Sequence, residues 1–186
     1  MSDIVERITL YEGRGILENV TVKYEGTDGR MREVSQPVWT YGDFISVLPY
    51  DRATNKVLVI RQMRPAVFMK TGGTIVEACA GGIETTDKSI EAACRREAME
   101  ELGCALPQLQ KIATCFVDAG KLTSRAHYFL ASYVSGTQNP AQRNLDDDED
   151  IEVIELEVTE LLQWYDRGQI ACSGLLTLTQ ALMLKL

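Results

Sequence analysis

Apolar and polar residues alternate with a period near two through the first forty positions of this chain. Residues 4–10, 15–24 and 31–38 read as three short strands, and Gly26-Thr27-Asp28-Gly29 supplies hairpin-turn chemistry between the last two. The run Val20-Thr21-Val22-Lys23-Tyr24 gives such a sheet one dry face and one wet face. A sheet this small buries little by itself, so it is expected to pack on the rest of the chain or on a second subunit.

The pattern changes near Asp43. Residues 44–48 and 56–61 are apolar and rich in β-branched side chains, and they flank the turn 51–55, which predicts a hairpin. Residues 74–78 form a short predicted strand that leads into a glycine loop. Asp87 suits the N-cap of a helix running from about Lys88 to Leu102, and Gly103 suits its C′ position. Strands are predicted at 109–117 and 126–134, then a polar loop at 138–150 that ends in five consecutive acids, then a strand at 152–158. Thr159 is expected to cap a helix ending near Gly168, and Ser173 a last helix toward Lys185. The order predicts an α/β protein. At 186 residues and 45% hydrophobic content, it is expected to hold one main domain at 43–186 behind a small β-strand segment at 1–42.

Chemistry enters with Glu97-Ala98-Met99-Glu100-Glu101 inside the predicted helix. At about 100° per residue, Glu97 and Glu101 project from one side, with Glu100 beside them. The same side traced backward passes through Cys94 and Ile90, the stripe expected to face the core. Unpaired carboxylates on a buried stripe would repel one another and lose hydration. A divalent cation resolves that conflict, and oxygen-only ligands point to Mg²⁺ or Mn²⁺ rather than zinc. An arbitrary E-x-x-E-E is more often a solvated helix face, so the surrounding sequence has to decide.

Composition narrows the field. The net charge of −8 argues against a surface for nucleic-acid phosphates. No apolar run approaches the ~20 residues of a membrane span. Met1–Arg7 lacks the basic start and apolar core of a signal peptide, so a cytoplasmic location is expected. The five cysteines are never spaced as C-x-x-C and read as small buried hydrophobes in a reducing compartment. The single histidine, His127, reads as a strand residue, and no nucleophile elbow is present.

Glu77-Ala78-Cys79-Ala80-Gly81-Gly82, followed by Arg96-Glu97, Glu100-Glu101 and Gly103, resembles the Nudix box G-x5-E-x7-R-E-U-x-E-E-x-G-U, where U is bulky and apolar. Lys88 stands where the box has its first Glu if Gly82 is the anchoring glycine. Asp87 takes that place if Gly81 is the anchor and the loop has slipped by one. Ala98 and Cys104 fill apolar positions usually held by larger residues. Further likeness covers roughly residues 43–180. Residues 56–64, Lys-Val-Leu-Val-Ile-Arg-Gln-Met-Arg, are similar to a strand of the ADP-ribose and nucleoside-diphosphate-sugar pyrophosphatases. Asp148-Glu149-Asp150-Ile151-Glu152-Val153 and Gly168-Gln169-Ile170 are similar to segments of GDP-mannose pyrophosphatases.

The resemblance implies a Nudix α/β/α sandwich with a mixed sheet, preceded by a small N-terminal antiparallel sheet that serves dimerisation. It implies Mg²⁺-dependent hydrolysis of a nucleotide sugar to a nucleoside monophosphate and a sugar phosphate, by a homodimer. Metal ligands would be Glu97, Glu100, Glu101 and the Ala80 carbonyl. The general base would come from the late acidic loop, Glu149 first and Glu152 second, with Glu100 a further catalytic candidate. Arg64 would grip substrate phosphate, and Arg61 and Glu77 would line the substrate side, Arg61 pairing with Glu77. Arg96 would brace the box loop. The family's S-P-G-x-x-x-E is replaced here by Val117-Asp118-Ala119-Gly120-Lys121-Leu122-Thr123-Ser124, so ADP-ribose specificity does not carry over. A different kind of function, a nucleotide-sugar sensor without turnover, stays open because of Lys88.

Overall fold

A computed structural model describes residues 2–147 and 149–186; Asp148, one of the five consecutive acids, lies outside the described residues. The chain divides into two units, Met1–Asp43 with Cys115–Ala126, and Phe44–Thr114 with His127–Leu186.

In the first unit, β1 (Ser2–Glu12), β2 (Ile16–Glu25) and β3 (Met31–Thr40) form an antiparallel sheet in that order. The hairpin turn closes through Gly26 N–H to Arg30 O at 2.9 Å, with Gly29 in the left-handed region at φ 74°. Ile4, Val5, Ile8 and Leu10 on β1 are exposed. Residues 117–124 belong to this unit because β3 holds them. Trp39 N–H donates to Lys121 O at 2.8 Å, Thr123 N–H to Trp39 O at 3.1 Å, and the Gln36 side chain to Gly120 O at 2.8 Å.

The second unit contains β4 (Phe44–Asp51), β5 (Lys56–Gln62), α1 (Pro65–Thr71), β6 (Ile75–Glu77), β7 (Cys79–Gly82) and α2 (Ile90–Leu102). Most of β8 (Leu109–Phe116) and β9 (Arg125–Ser132) follows, then β10 (Ile151–Glu157), α3 (Val158–Asp166) and α4 (Ser173–Met183). The mixed sheet runs β10-β5-β4-β9-β8, with β6 added to β5 and β7 to β4. Val57, Leu58, Val59 and Ile60 on β5 are all fully buried, as a strand covered on both faces requires. Ile45, Val47, Leu58 and Ile60 pack with Ala93, Cys94, Ala98 and Leu102 of α2. By strand alternation Leu48, Val57 and Val59 face the other way, where Leu161, Leu175 and Leu178 of α3 and α4 are buried. The result is the α/β architecture that the sequence predicts.

Four local expectations change, the first being that Ser173 is the first residue of α4, with Cys172 at its N-cap. Helix α2 starts at Ile90, because Ser89 rather than Asp87 caps it, its Oγ accepting from Ala92 N at 3.1 Å. Helix α3 starts at Val158, one residue before the expected Thr159 cap. Helix α1 has no counterpart in the sequence reading. It buries no residue and leaves Phe68 and Met69 exposed, so no apolar stripe announces it. Its signals are Pro65 in its first turn and Gly72 at φ 71° just past its end.

Gly103 ends α2 at φ 63°, and a Cβ there would overlap the backbone carbonyl of Asn139. Gly103→Ala should therefore lower stability by about 2 kcal/mol or more in urea denaturation. A loss under about 0.5 kcal/mol, typical of neutral surface changes, would show that this close approach is not maintained in solution.

Candidate active site

Strand β7 and helix α2 form the floor of the candidate site. Ala80 is held by pairing with Ser46 of β4, and α2 packs across β7. Glu101 is only 3% exposed. Its Oε2 accepts from Ala80 N–H at 3.2 Å. One helical turn earlier, the Glu97 carboxyl lies against Gly81 so closely that a Cβ there would overlap it, whereas Gly82 faces open space. Loss of hydration pushes Glu97 up to about 7, partly offset by Arg96. Burial likewise pushes Glu101 up to about 8, with the Glu97 charge adding to the shift.

Arg96 organises the loop beside this pair. Its Nη1 donates to Glu97 Oε1 at 2.9 Å and to Glu100 Oε2 at 2.8 Å. Its Nη2 donates to Gly82 O at 2.8 Å and to Asp87 Oδ2 at 2.9 Å, while Nε reaches Asp87 Oδ1 at 3.1 Å. This fork-on-fork pairing holds the Asp87 carboxyl below its usual range. Lys88 is exposed. The glycine in close approach is Gly81 and the acid bonded to arginine is Asp87, six positions later, so the loop has the slipped register.

The other residues singled out in the sequence separate into two groups. Glu149 follows a turn in which its own N–H reaches Asp146 O at 3.0 Å, and it comes close enough to raise both Glu97 and Glu101 by like charge. Its loop is tied to the end of α2: Asn144 N–H donates to Glu100 O at 3.1 Å and Asn139 N–H to Gly103 O at 2.9 Å. Glu152 sits between Ile151 and Val153, which pack into the α2-side core, so alternation turns it to the opposite face. There it pairs with Arg61 at 2.7 Å, its register partner across β5 and β10. The anticipated Arg61–Glu77 pair does not form. Glu77 lies opposite Ile60, one position along, and so points to the other face from Arg61. Arg64 takes Glu77 instead, Nε to Oε2 at 2.9 Å, with Gln62 adding a bond at 3.2 Å.

Among the described residues, no three His, Cys, Asp or Glu side chains form a ready-made ion cage, and Arg96 is ion-paired with both Glu97 and Glu100. The donor chemistry nonetheless fits a hard divalent cation: carboxylate oxygens with incomplete charge compensation beside an accessible backbone strand, and no imidazole.

The NUDIX domain family model matches residues 41–172. The chain belongs to this family. It is 31% identical over 90% of its length to a GDP-mannose pyrophosphatase of Klebsiella pneumoniae, covering 84% of that protein. Identity to the GDP-mannose pyrophosphatase of Pectobacterium atrosepticum is 32%, over 90% of this chain and 86% of the relative. With that of Cronobacter sakazakii it is 29%, over 98% and 95%. Within this Nudix hydrolase, Asp87, the alternative that the sequence offers to Lys88, is the acid that meets Arg96. Its spacing of six positions from Gly81 is the sequence signal for that role.

Two outcomes follow from this geometry. Asp87→Asn should lower activity more than tenfold by loosening Arg96, while Lys88→Ala should stay within about twofold in the same assay. Equal effects would contradict the slipped register. Glu97 and Glu101 have folded-state pKa values above their unfolded ones, so their contribution to stability is full below about pH 4.5 and is lost as pH rises through about 7 and 8. The melting temperature of protein stripped of divalent ions should fall between pH 5 and 8.5, and less steeply in Glu101→Gln. An equally steep fall in that variant would contradict this origin.

Proposed function

We propose that this chain hydrolyses the pyrophosphate bond of a nucleoside-diphosphate sugar, GDP-mannose or a close analogue, in a Mg²⁺-dependent reaction that Mn²⁺ also supports. The observation that carries this reading is the pair of acids, buried Glu101 and half-buried Glu97, seated against β7 without full charge compensation. Their proposed role is to hold the cation together with the Ala80 carbonyl, with Glu100 a further ligand once released from Arg96. A bound Mg²⁺ would neutralise phosphate charge and lower the pKa of a coordinated water.

Water adds to one phosphorus, the bridging P–O bond breaks, and nucleoside monophosphate and sugar phosphate leave. Glu149 is the proposed base that takes the proton of the attacking water, because its charge reaches both α2 acids. Glu152 is the weaker candidate, bound to Arg61 on the opposite face. Glu77 orients Arg64 through Nε, and the remaining N–H groups of that guanidinium suit substrate phosphate. The relatives' shared activity supports GDP-mannose. Residues 117–124 lack the family's proline and glutamate, so ADP-ribose specificity does not carry over, and an ADP-sugar stays among the candidate substrates.

The sensor reading rested on Lys88, and Asp87 now supplies the carboxylate that Lys88 lacks. The exposed apolar residues of β1 suit a homodimer, and the five free cysteines suit a reducing cytoplasm.

A panel of nucleotide sugars with Mg²⁺, read by phosphate released after added phosphatase, should show turnover with GDP-mannose among the best substrates. Tight binding without turnover of any member would replace the enzyme reading with the sensor one. In the same assay Glu149→Gln should lose at least ~100-fold in kcat and Glu152→Gln less than about tenfold. The reverse order would transfer the base to Glu152.

A further inference from the structure

Arg143 closes the loop that bears Glu149. Strand β10 is an edge of the mixed sheet, which leaves backbone carbonyls open to donors from outside the ladder. Arg143 Nη2 donates to one of them, Ile151 O, at 2.6 Å, and so joins the two ends of residues 144–150. Nearer the backbone, Arg143 Cγ stands 3.2 Å from where a Cβ on Gly103 would lie. The stem therefore passes over the glycine that ends α2, and the head reaches the first residue of β10. The C-terminal carbonyls of a helix attract positive charge, and α2 has no basic residue in its own last turn.

Neighbouring contacts act in the same direction. Leu145 packs against the α2-side core, and Asn144 N–H donates to Glu100 O at 3.1 Å. Within the loop, Glu149 N–H donates to Asp146 O at 3.0 Å, and Asp146 N–H donates to the Glu149 carboxyl at 3.3 Å. That turn fixes Glu149 within the loop, but its place relative to α2 depends on what holds the loop's ends. The acids at 146–150 repel one another, which opposes a closed neck.

Stability does not explain an arginine here. Its Nε is buried with no hydrogen-bond partner among the described residues, and no acid among them forms an ion pair with it. An unpaired buried N–H costs stability that an apolar stem of similar length would not. What the arginine adds, and such a stem lacks, is the bond across the neck of the loop. We propose that Arg143 is a positioning residue for Glu149, a strut between the end of α2 and the start of β10 that sets the distance from the late loop to the α2 acids. The inference rests on Glu149 being the base, as given under the proposed function. It assigns Arg143 no contact with substrate.

A double-mutant cycle of Arg143→Met and Glu149→Gln, assayed with GDP-mannose and saturating Mg²⁺, tests it, with amide exchange of Asn144 and Glu149 measured in Arg143→Met. Methionine keeps much of the stem and removes the donor. Misplacing a reacting group by about 1 Å costs on the order of 100-fold in rate, so Arg143→Met should lower kcat by about tenfold or more, with KM within about threefold. In the Glu149→Gln background the same change should cost less than about twofold, because the group it positions is already gone. Both amides should exchange at least about tenfold faster in Arg143→Met. A full tenfold further loss in the Glu149→Gln background would overturn the proposal, as would an effect confined to KM, an unchanged kcat, or unchanged exchange at both amides. If Arg143→Met gives no cooperative melt, Arg143→Lys, which keeps the charge and loses the planar fork, takes its place with the same criteria. Near-wild-type kcat in Glu149→Gln alone, or no turnover by wild type, would instead remove the reading beneath the inference, and the inference with it.

Discussion

Two carboxylates, Glu97 and Glu101, occupy a helix face packed against β7, and much of what lies between Cys79 and Gly103 follows from seating them there. Burial removes hydration from both, and like charges sit close by. The fold tolerates this because β7 approaches without side-chain bulk at Gly81 and offers the Ala80 amide to Glu101. It does not neutralise the pair. The residual unfavourable electrostatics is the feature that a divalent cation would relieve, and it makes the helix a site rather than only a core element.

The surrounding contacts keep that arrangement rigid. Arg96 joins Glu97, Glu100, Asp87 and the Gly82 carbonyl, so the loop between β7 and α2 is tied to the helix it precedes. At the other end, α2 leaves backbone carbonyls without helical partners, as every helix does. Those of Glu100 and Gly103 accept from Asn144 and Asn139, which anchors the late loop bearing Glu149. One helix thus carries the acids and fixes both loops that frame them. The proposed hydrolysis draws on that shared scaffold, since the base and the ligands must hold their spacing while charge shifts.

Much of this was legible in the chain itself. The apolar stripe through Ile90 and Cys94 located the buried face of α2, and the same period located Glu97 and Glu101 on it. What escaped the sequence depends on the third dimension or on one-residue differences. Asp87 and Lys88 are neighbours, and the hydrogen bonds from Arg96 to Asp87 show which of them faces the arginine. Glu152 turns away from α2 because Ile151 and Val153, on either side of it, take the positions that pack on the α2-side core. The pairing of Arg64 rather than Arg61 with Glu77 follows from the β5–β6 register, which no local pattern encodes. Residues 117–124 are held by β3 partners about eighty positions away, as in the Gln36 to Gly120 bond. Helix α1 has its end signals but no buried face, and end signals alone did not predict it.

The central claim is that Glu101 and Glu97 of α2 form a cation site whose charge the protein compensates only in part. The most direct measurement is the thermal midpoint of metal-stripped wild type and Glu101→Gln near pH 8, each with and without saturating Mg²⁺. Removing the charge should raise the midpoint of the stripped protein, and Mg²⁺ should stabilise wild type strongly and the variant weakly. If stripped Glu101→Gln melts below wild type and both respond equally to Mg²⁺, the acids are ordinary structural groups and the account is wrong.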